Sequence, residues 1–285
     1  MSRRWGFGMA LLLGLSGLAG ASALAEDSVA ASCLQLQGNL MQGGLVWGKV
    51  APGTQVSLDG EMLDVLPDGT TFAGFGRDAA ATAELVVAGP EPCAQTLRIA
   101  RREYNIQRVE GVPQKTVTPS PEHVERILRE QALVNAAKDR YVERPDLLQG
   151  ALAGFQWPAV GPISGVYGSQ RYYNGKAGNP HYGVDMAVPT GTPVLAPAAG
   201  VVTLAEPDLF FSGGTIILDH GFRFSSSFLH MSKILVETGQ EVQAGDVIGE
   251  VGATGRATGA HLDWRMNWRN HRIDPQLLAP PMPKP

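Results

Sequence analysis

Two short stretches, far apart in the chain, contain side chains of the types that bind metal ions. The first is GNPHYGVDMA, residues 178–187, in which His181 and Asp185 stand four positions apart. The second is GAHLDWRMNW, residues 259–268, in which His261 and Asp263 stand two positions apart. Imidazole nitrogen and carboxylate oxygen are ordinary zinc ligands, so the four side chains predict metal-assisted chemistry if the fold brings them together.

The spacing within each pair fits β-strands. Residues i and i+2, or i and i+4, point to the same face of a strand, so His261 and Asp263 share a face. His181 and Asp185 can converge in the same way if the chain bends near Gly183. Each pair alone is explained as well by surface side chains or a polar strand face, but the occurrence of both favours one shared site.

The composition indicates that short strands position these residues. The 285-residue chain has 35 glycines and 20 prolines, which indicate many turns. Residues 155–278 alternate short apolar runs with glycine and show no long helical period, so they predict a compact antiparallel sheet domain. Residues 28–108 have the same character at about ten-residue spacing and predict a small β-sandwich.

A helix is predicted between the two β regions. Residues 109–120 read as a polar linker, and Ser120-Pro121 supplies an N-cap residue followed by proline at the first helical position. The helical pattern extends to about Val142. Its predicted buried stripe consists of Val124, Ile127, Leu128, Ala132 and Leu133.

The first residues have the pattern of a secretory signal peptide. Arg3 and Arg4 precede an apolar run, and Ala23-Leu24-Ala25 forms a cleavage site. An uncleaved membrane anchor is the alternative, but the run is short for a span. Cleavage predicts an exported chain without a membrane span. It also removes two arginines and no acids, which moves the formal charge from −4 to −6 and argues against nucleic-acid binding.

The predicted organisation is a signal peptide at 1–25, a small β-sandwich domain at 26–108, a linker with a helix at 109–150, and an antiparallel-sheet domain at 151–285. The fold class is therefore all-β. The two cysteines, Cys33 and Cys93, both fall in the first β region. In an exported chain a disulfide between them is the leading interpretation, and two buried free thiols are the alternative.

Residues 168–202 and 215–264 resemble the lysostaphin-type (LytM-type) zinc metallopeptidases. The motifs that carry the resemblance are HYGVD, then the isolated histidine of FLHMS, then HLD, in the family's order of HxxxD, His and Hx[HD]. The resemblance implies a compact antiparallel domain with a groove over one sheet, a zinc cofactor, and hydrolysis of peptide bonds in peptidoglycan. Residues 28–108 more weakly resemble a β domain that precedes the catalytic domain in some Gram-negative members.

The resemblance also implies roles for individual residues. His181 and Asp185 match the first two zinc ligands, and His261 matches the catalytic histidine that acts as general base. His230 matches a second catalytic histidine, which orients water or stabilises the oxyanion. The third ligand of the family is a histidine, and here that position is Asp263.

The aspartate at position 263 leaves two outcomes open. Asp263 can bind zinc, since carboxylate oxygen is an ordinary ligand. Alternatively it does not bind, and the domain works without catalysis. On the loop before the HxxxD motif, Arg171 and Asn174 are predicted to line the groove and contact substrate.

The function predicted on this basis is that of a periplasmic zinc metalloendopeptidase that hydrolyses murein cross-links, of the D-alanyl–diaminopimelate kind in a Gram-negative wall. The alternative function is a weak or inactive member that binds the wall and activates murein amidases. The predicted partners are peptidoglycan and, in the alternative, a cell-wall amidase or division protein.

Overall fold

The computed structural model describes residues 33–283 apart from residue 90. The predicted signal peptide at 1–25 lies outside the described residues. Within the described part of the chain, no helix is both long and apolar enough to cross a bilayer.

The N-terminal region consists of seven short antiparallel strands in two sheets. The strands are β1 (Gln37–Gly38), β2 (Leu45–Lys49), β3 (Gln55–Leu58), β4 (Glu61–Met62), β5 (Thr70–Gly74), β6 (Thr82–Ala88) and β7 (Cys93–Arg98). One sheet has the order β1-β2-β5 and the other the order β4-β3-β6-β7. Along β6 buried and exposed residues alternate, as a strand with one core face requires. The prediction of a small two-sheet β region is confirmed.

Three helices and one strand connect this region to the rest of the chain. They are β8 (Ile106–Val109), α1 (Gln114–Val117), α2 (Pro121–Asp139) and α3 (Pro145–Ala153). The predicted helix begins where expected, with Ser120 as N-cap residue, and ends three residues before Val142. Helix α3 was not predicted; it buries Leu147, Leu148 and Ala151.

The predicted buried stripe of α2 is wrong. Val124, Leu128 and Leu133 are exposed, whereas Val134 is half-buried and Ala137 is buried. Val134 and Ala137 pack with a small apolar group on the strands beneath the helix, formed by Leu204, Leu209 and Ile217. The buried side of the helix is therefore the side that meets this apolar group, and it is not the most apolar stripe of the helix.

The C-terminal region contains thirteen strands and one short 3-10 helix at Pro275–Leu277. The strands are β9 (Ile163–Gly165), β10 (Gln170–Tyr173), β11 (Lys176–Pro180), β12 (Gly183–Met186), β13 (Pro193–Leu195), β14 (Gly200–Leu209), β15 (Gly213–Asp219), β16 (Phe224–Met231), β17 (Lys233–Ile234), β18 (Glu241–Val242), β19 (Val247–Glu250), β20 (Leu262–Trp268) and β21 (His271–Ile273).

Eight of these strands form the main sheet. Its order is β18-β14-β15-β16-β20-β12-β9, with β21 paired to β20, and its pairs are antiparallel. Two three-stranded sheets accompany it, β13-β19-β17 and β11-β10-β8. In the latter, β8 from the linker pairs in parallel with β10. The all-β, antiparallel prediction is confirmed, and the linker joins the C-terminal region as an extra strand.

The two faces of the main sheet have different characters. Along β20, Leu262 and Trp264 are fully buried on the core face, as their alternation predicts. Asp263 and Arg265 point to the opposite face. The core itself extends into the N-terminal region, where the Phe72 ring lies 5.6 Å from that of Trp268. One continuous apolar core therefore includes residues from both predicted domains. The domain boundaries stay predictions.

A disulfide joins Cys33 to Cys93, as predicted, and closes a separation of 60 residues. Cys33 lies just before β1 and Cys93 begins β7. We expect the double variant C33S/C93S to lose about 4 kcal/mol of unfolding free energy, because the unfolded chain regains its loop entropy. Urea titration of the variant measures this loss. Reduction of the unaltered chain should lower its stability by the same amount, and a variant as stable as the oxidised chain would contradict the expectation.

A buried acid stands at the end of β15. Asp219 is fully buried; its Oδ1 accepts a hydrogen bond from the Gly221 amide at 2.7 Å, and its Oδ2 has no partner. Burial raises the pKa of Asp219 from 3.8 to about 7. The folded chain thus keeps a proton on Asp219 through a pH range in which the unfolded chain has lost it.

This difference makes stability depend on pH. As pH rises from about 4 through 7, unfolding releases a proton, so the contribution of Asp219 to stability falls. The side chain in Asp219→Asn cannot ionise, so the variant does not lose this contribution. The unfolding free energy of the variant, minus that of the unaltered chain, should therefore increase as pH rises from 5.5 to 8. Urea titrations at both pH values measure the gain. The exposed Asp208→Asn serves as control, and a gain that does not vary with pH would contradict the assignment.

Candidate metal centre

Two carboxylates lie directly opposite each other on neighbouring strands of the main sheet. Antiparallel pairing of β12 with β20 places Asp185 opposite Asp263. The two residues are 5% and 0% exposed. Like charges directly opposite each other on one face are destabilising, and burial strengthens their repulsion. This arrangement requires cations beside the carboxylates.

His181 completes the cluster from the loop before β12. Its backbone is held on both sides, because its amide donates to Ser169 O at 2.8 Å and its carbonyl accepts from the Gly168 amide at 2.7 Å. The side-chain Nδ1 is 3.3 Å from Val166 O, and this pairing assigns the proton to Nδ1. Nε2 then presents a lone pair to the two acids, 3.0 Å from Asp185 Oδ1 and 3.3 Å from Asp263 Oδ1.

The cluster has the composition and spacing of a zinc site. His181, Asp185 and Asp263 offer ligand atoms that all lie within 4.8 Å of one another. Ligands about 2.0–2.2 Å from a tetrahedral zinc ion stand roughly 3.3–3.5 Å apart, close to the two separations from His181. His181 Nε2 and Asp185 Oδ1 are also buried without a hydrogen-bond partner. Buried polar atoms are rarely left so, and a shared cation would satisfy both.

The charges of the cluster favour a cation at its centre. Burial opposes the charged form of His181, but Asp263 and Asp185 outweigh burial and raise its pKa. Burial also opposes ionisation of Asp263, yet Arg265 and then His181 hold its pKa well below the usual range. For Asp185 burial is again outweighed, chiefly by His181, and its pKa is lowered. A proton on His181 and a metal ion compete for the same lone pair.

An arginine binds the second oxygen of each carboxylate. Arg171 Nη2 donates to Asp185 Oδ2, and the pair is buried. Arg265 Nη2 donates to Asp263 Oδ2 at 2.6 Å. Asp185 therefore directs Oδ1 toward His181 and gives Oδ2 to Arg171. Asp263 gives Oδ2 to Arg265 Nη2, while its Oδ1 lies near His181 Nε2 and also accepts from Arg265 Nε.

Two further histidines lie beside the cluster. The rings of His230 and His261 are 4.7 Å apart, and His261 Nε2 is 4.0 Å from Asp185 Oδ1. His230 Nδ1 lies 2.8 Å from Thr254 O, and His261 Nδ1 lies 2.9 Å from Gly259 O. As in His181, a backbone carbonyl takes the Nδ1 proton and leaves Nε2 free to act on a ligand.

His230 has one ring nitrogen free to act on a ligand, whereas both ring nitrogens of His220 are hydrogen-bonded. Burial lowers the pKa of His230 to about 4, so its ring is neutral near pH 7. His230, the second-last residue of β16, has a φ of 66°, a left-handed conformation that is uncommon outside glycine. His220 is fully buried with both ring nitrogens in use, Nδ1 with Ala199 O and Nε2 with Ser226 Oγ, each at 2.8 Å.

A cavity of about 200 Å³ opens beside the cluster and is lined by Asp185, His261 and Arg171. Its other wall comes from strand β8 and the segment after it, through Gln107, Val109 and Val112. Gln107 Oε1 accepts a hydrogen bond from Arg171 Nε at 2.9 Å. The linker strand β8 therefore contacts the arginine that binds Asp185.

Six of the seven predicted site residues lie together in the structure. They are the three predicted ligands, the two predicted catalytic histidines and Arg171, which binds Asp185. Asn174 does not reach the cluster. It lies in the β10–β11 turn, where its side-chain amide donates to Val112 O at 3.0 Å, and it does not line the cavity. Sequence reasoning missed Arg265 and Gln107. Arg265 follows Asp263 at i+2 on a predicted strand, a spacing that could have identified it.

Comparison with known proteins agrees with this geometry. The sequence profile of peptidase family M23 matches residues 179–275, which include His181, Asp185, His230, His261 and Asp263. The crystal structure of an M23 peptidase protein from Pseudomonas aeruginosa superposes with a TM-score of 0.65 at 31% identity. The superposition covers 84% of this chain and 95% of that one, so the likeness includes the N-terminal region.

Two curated relatives are similar over about half of the chain. Peptidoglycan DD-endopeptidase ShyA of Vibrio cholerae is 34% identical over 143 residues, 50% of this chain and 33% of ShyA. The lipoprotein NlpD/LppB homolog of Pseudomonas aeruginosa is 32% identical over 130 residues, 46% of this chain and 41% of that protein. The matches thus span less than half of either relative's length. Profile, superposed structure and relatives agree, and the chain belongs to peptidase family M23.

Proposed function

We propose that the chain is an exported metalloendopeptidase that hydrolyses peptide cross-links of peptidoglycan. The observation that carries the proposal is the convergence of a His-Asp-Asp cluster and two histidines with free Nε2 atoms beside one cavity. The geometry fits hydrolysis of an amide, in which water, a base and an oxyanion stabiliser must meet at one carbonyl.

Peptidases of family M23 depend on zinc. In this chain we assign the ion to His181 Nε2, Asp185 Oδ1 and Asp263 Oδ1. When bound, zinc lowers the pKa of a coordinated water and polarises the scissile carbonyl. With two carboxylates and one imidazole the site is formally neutral, whereas two imidazoles and one carboxylate would leave it at +1. We therefore expect weaker activation of water here than in a site with two histidines.

The two remaining histidines have separate roles. His261, the more exposed, takes the proton of the attacking water at Nε2, because its Nδ1 proton is held by Gly259 O. His230 is neutral near pH 7 and its Nδ1 proton is held by Thr254 O, so its Nε2 would accept a hydrogen bond from a water molecule. That water would donate its other proton to the carbonyl oxygen and steady the negative charge that develops there. Backbone carbonyls fix both rings, so neither side chain must reorganise during the reaction.

The substrate assignment rests on the relatives. ShyA, with 34% identity over the matched region, is named a peptidoglycan DD-endopeptidase. Peptidoglycan lies outside the cytoplasmic membrane, which agrees with the predicted signal peptide and with the disulfide between Cys33 and Cys93. We accordingly place the protein in the periplasm and Arg171 at the substrate side of the cavity, where it is 8% exposed.

A second function is favoured by the small size of the cavity. Gln107, Val109 and Val112, in β8 and the segment after it, form one wall, and about 200 Å³ is little room for a cross-linked peptide. A chain that stays in this arrangement would bind the wall and activate a murein amidase instead of cleaving peptides. The two functions predict different results when the purified protein is incubated with sacculi.

Zinc should stabilise the folded chain. At a free zinc concentration 100 times the dissociation constant, we expect a gain of about 2.7 kcal/mol in unfolding free energy, because the unfolded chain lacks the site. His181→Ala should abolish the gain, whereas His123→Ala, on α2, should retain it. Thermal unfolding in buffered zinc measures the effect. An equal gain in both variants would contradict the assigned ligands.

Hydrolysis should depend on the two free histidines. We expect the zinc-loaded chain to release muropeptides from purified sacculi and His261→Ala to lower the rate by about 10²–10⁴-fold, as loss of a general base does. His230→Ala should lower it by about 10²–10³-fold. Both variants should retain one zinc per chain, and His123→Ala should retain full activity. A zinc-loaded chain that releases nothing but stimulates an amidase would favour the second function.

A further inference from the structure

Arg265 and Asp263 form a close ion pair on one face of β20. The guanidinium Nε lies 3.1 Å from both carboxylate oxygens, and Nη2 lies 2.6 Å from Oδ2. Asp263 is fully buried, whereas the Arg265 side chain is 27% exposed. A planar guanidinium that reaches both oxygens restricts the rotation of the carboxylate as well as balancing its charge.

The two oxygens of Asp263 have different surroundings, although Arg265 Nε contacts both of them. Oδ2 receives the shortest bond from Arg265, and Oδ1 is 3.3 Å from His181 Nε2. Oδ1 is thus the atom offered to the cluster. Without the guanidinium the short aspartate side chain could rotate, and its full charge would face Asp185 directly across the strand pair.

The neighbouring strand leaves space for this pair. Gly183 is directly opposite Arg265 in the β12–β20 register. A Cβ atom at Gly183 would lie 2.5 Å from Asp263 Oδ1 and 2.6 Å from Arg265 Cγ, closer than side chains approach. Glycine at this position therefore allows the carboxylate and the arginine stem to lie side by side.

Two more basic side chains lie beyond Arg265 along the same face of β20. Asn267 Oδ1 accepts hydrogen bonds from Lys138 Nζ at 3.1 Å and from Arg272 Nη1 at 3.0 Å. Position 265 thus lies between these two basic side chains and the acidic cluster. Its favourable environment depends on the charge of Asp263, and a neutral side chain at position 263 would leave the guanidinium without its nearest anion.

We propose that Arg265 is a positioning residue that orients Asp263 as a zinc ligand, and that the two side chains act as one unit in place of a single neutral ligand. The inference rests on the proposed function, which places zinc at the cluster. Its consequence is that the effect of Arg265 on zinc affinity changes with the residue at position 263. With aspartate there, the guanidinium aids binding; with neutral histidine there, its unpaired positive charge opposes a dication.

Four forms of the full chain test this inference: the unaltered protein, R265Q, D263H and D263H/R265Q. Zinc affinity is measured by competition with a chromophoric chelator, and circular dichroism confirms folding. R265Q should bind zinc about 10–100-fold more weakly, the usual effect of losing a group that orients a ligand. D263H/R265Q should bind as tightly as D263H or more tightly.

The Arg102–Asp274 pair supplies a matched control. It joins an arginine side chain that is 27% exposed to an aspartate that is 1% exposed, and lies outside the cluster. R102Q should leave zinc affinity unchanged. If R265Q does not fold, R265K takes its place; it keeps the charge without the planar fork and should weaken zinc binding several-fold.

The outcomes separate this inference from the proposed function. If the unaltered chain binds zinc and R265Q, or R265K in its place, binds it equally well, Arg265 does not position Asp263 and the inference fails alone. An equal loss in the aspartate and histidine backgrounds would also overturn it, because Arg265 would then act independently of residue 263. An unaltered chain that binds no zinc would overturn both proposals.

Discussion

The pairing of β12 with β20 sets two buried carboxylates directly opposite each other on the face of the main sheet that lies away from its core, and such a pair is stable only beside cations. Asp185 and Asp263 are nearly inaccessible to water, so solvent cannot screen their repulsion. The structure surrounds them with one imidazole and two guanidinium groups. Their register matters equally, since a shift by one residue would turn a carboxylate into the core. The site thus depends on strand pairing as much as on ligand type.

The direction of each imidazole is determined by the backbone rather than by other side chains. His181, His230 and His261 each pair Nδ1 with a main-chain carbonyl, at Val166, Thr254 and Gly259. Those carbonyls belong to loops and strand ends that the sheet holds in place. The arrangement leaves the three Nε2 atoms available to one region, which is what metal binding and proton transfer require of them. His220 differs, because both of its ring nitrogens are hydrogen-bonded within the protein and neither is available to a ligand.

Periodicity explains how much of this could be predicted. The spacing of His261 with Asp263 was sufficient to place them on one face, because side-chain direction in a strand follows from local geometry. His181 lies in the loop before β12, where backbone hydrogen bonds with Ser169 and Gly168 hold it beside Asp185, so its position does not follow from strand periodicity. The alternation of Leu262 and Trp264 with Asp263 likewise predicted the core face, and both are fully buried.

Features that depend on distant contacts could not be predicted in this way. The predicted stripe of α2 included Val124, Leu128 and Leu133, which are exposed. The helix instead buries Val134 and Ala137 against three apolar residues of β14 and β15, a contact between distant segments that helical periodicity does not describe. Asn174 was placed at the groove from its proximity to His181 in sequence, yet its amide bonds to the linker. The parallel pairing of β8 with β10 joins segments some sixty residues apart, and no local pattern indicates it.

The central claim is that zinc is held by one imidazole and two carboxylates. X-ray absorption spectroscopy of the zinc-loaded chain tests it most directly, because the first coordination shell distinguishes imidazole from carboxylate and water. The account predicts a single imidazole, with the other ligands oxygen atoms at about 2.0–2.2 Å. A first shell with two or more imidazoles would contradict it, since His230 or His261 would then bind the metal in place of Asp263.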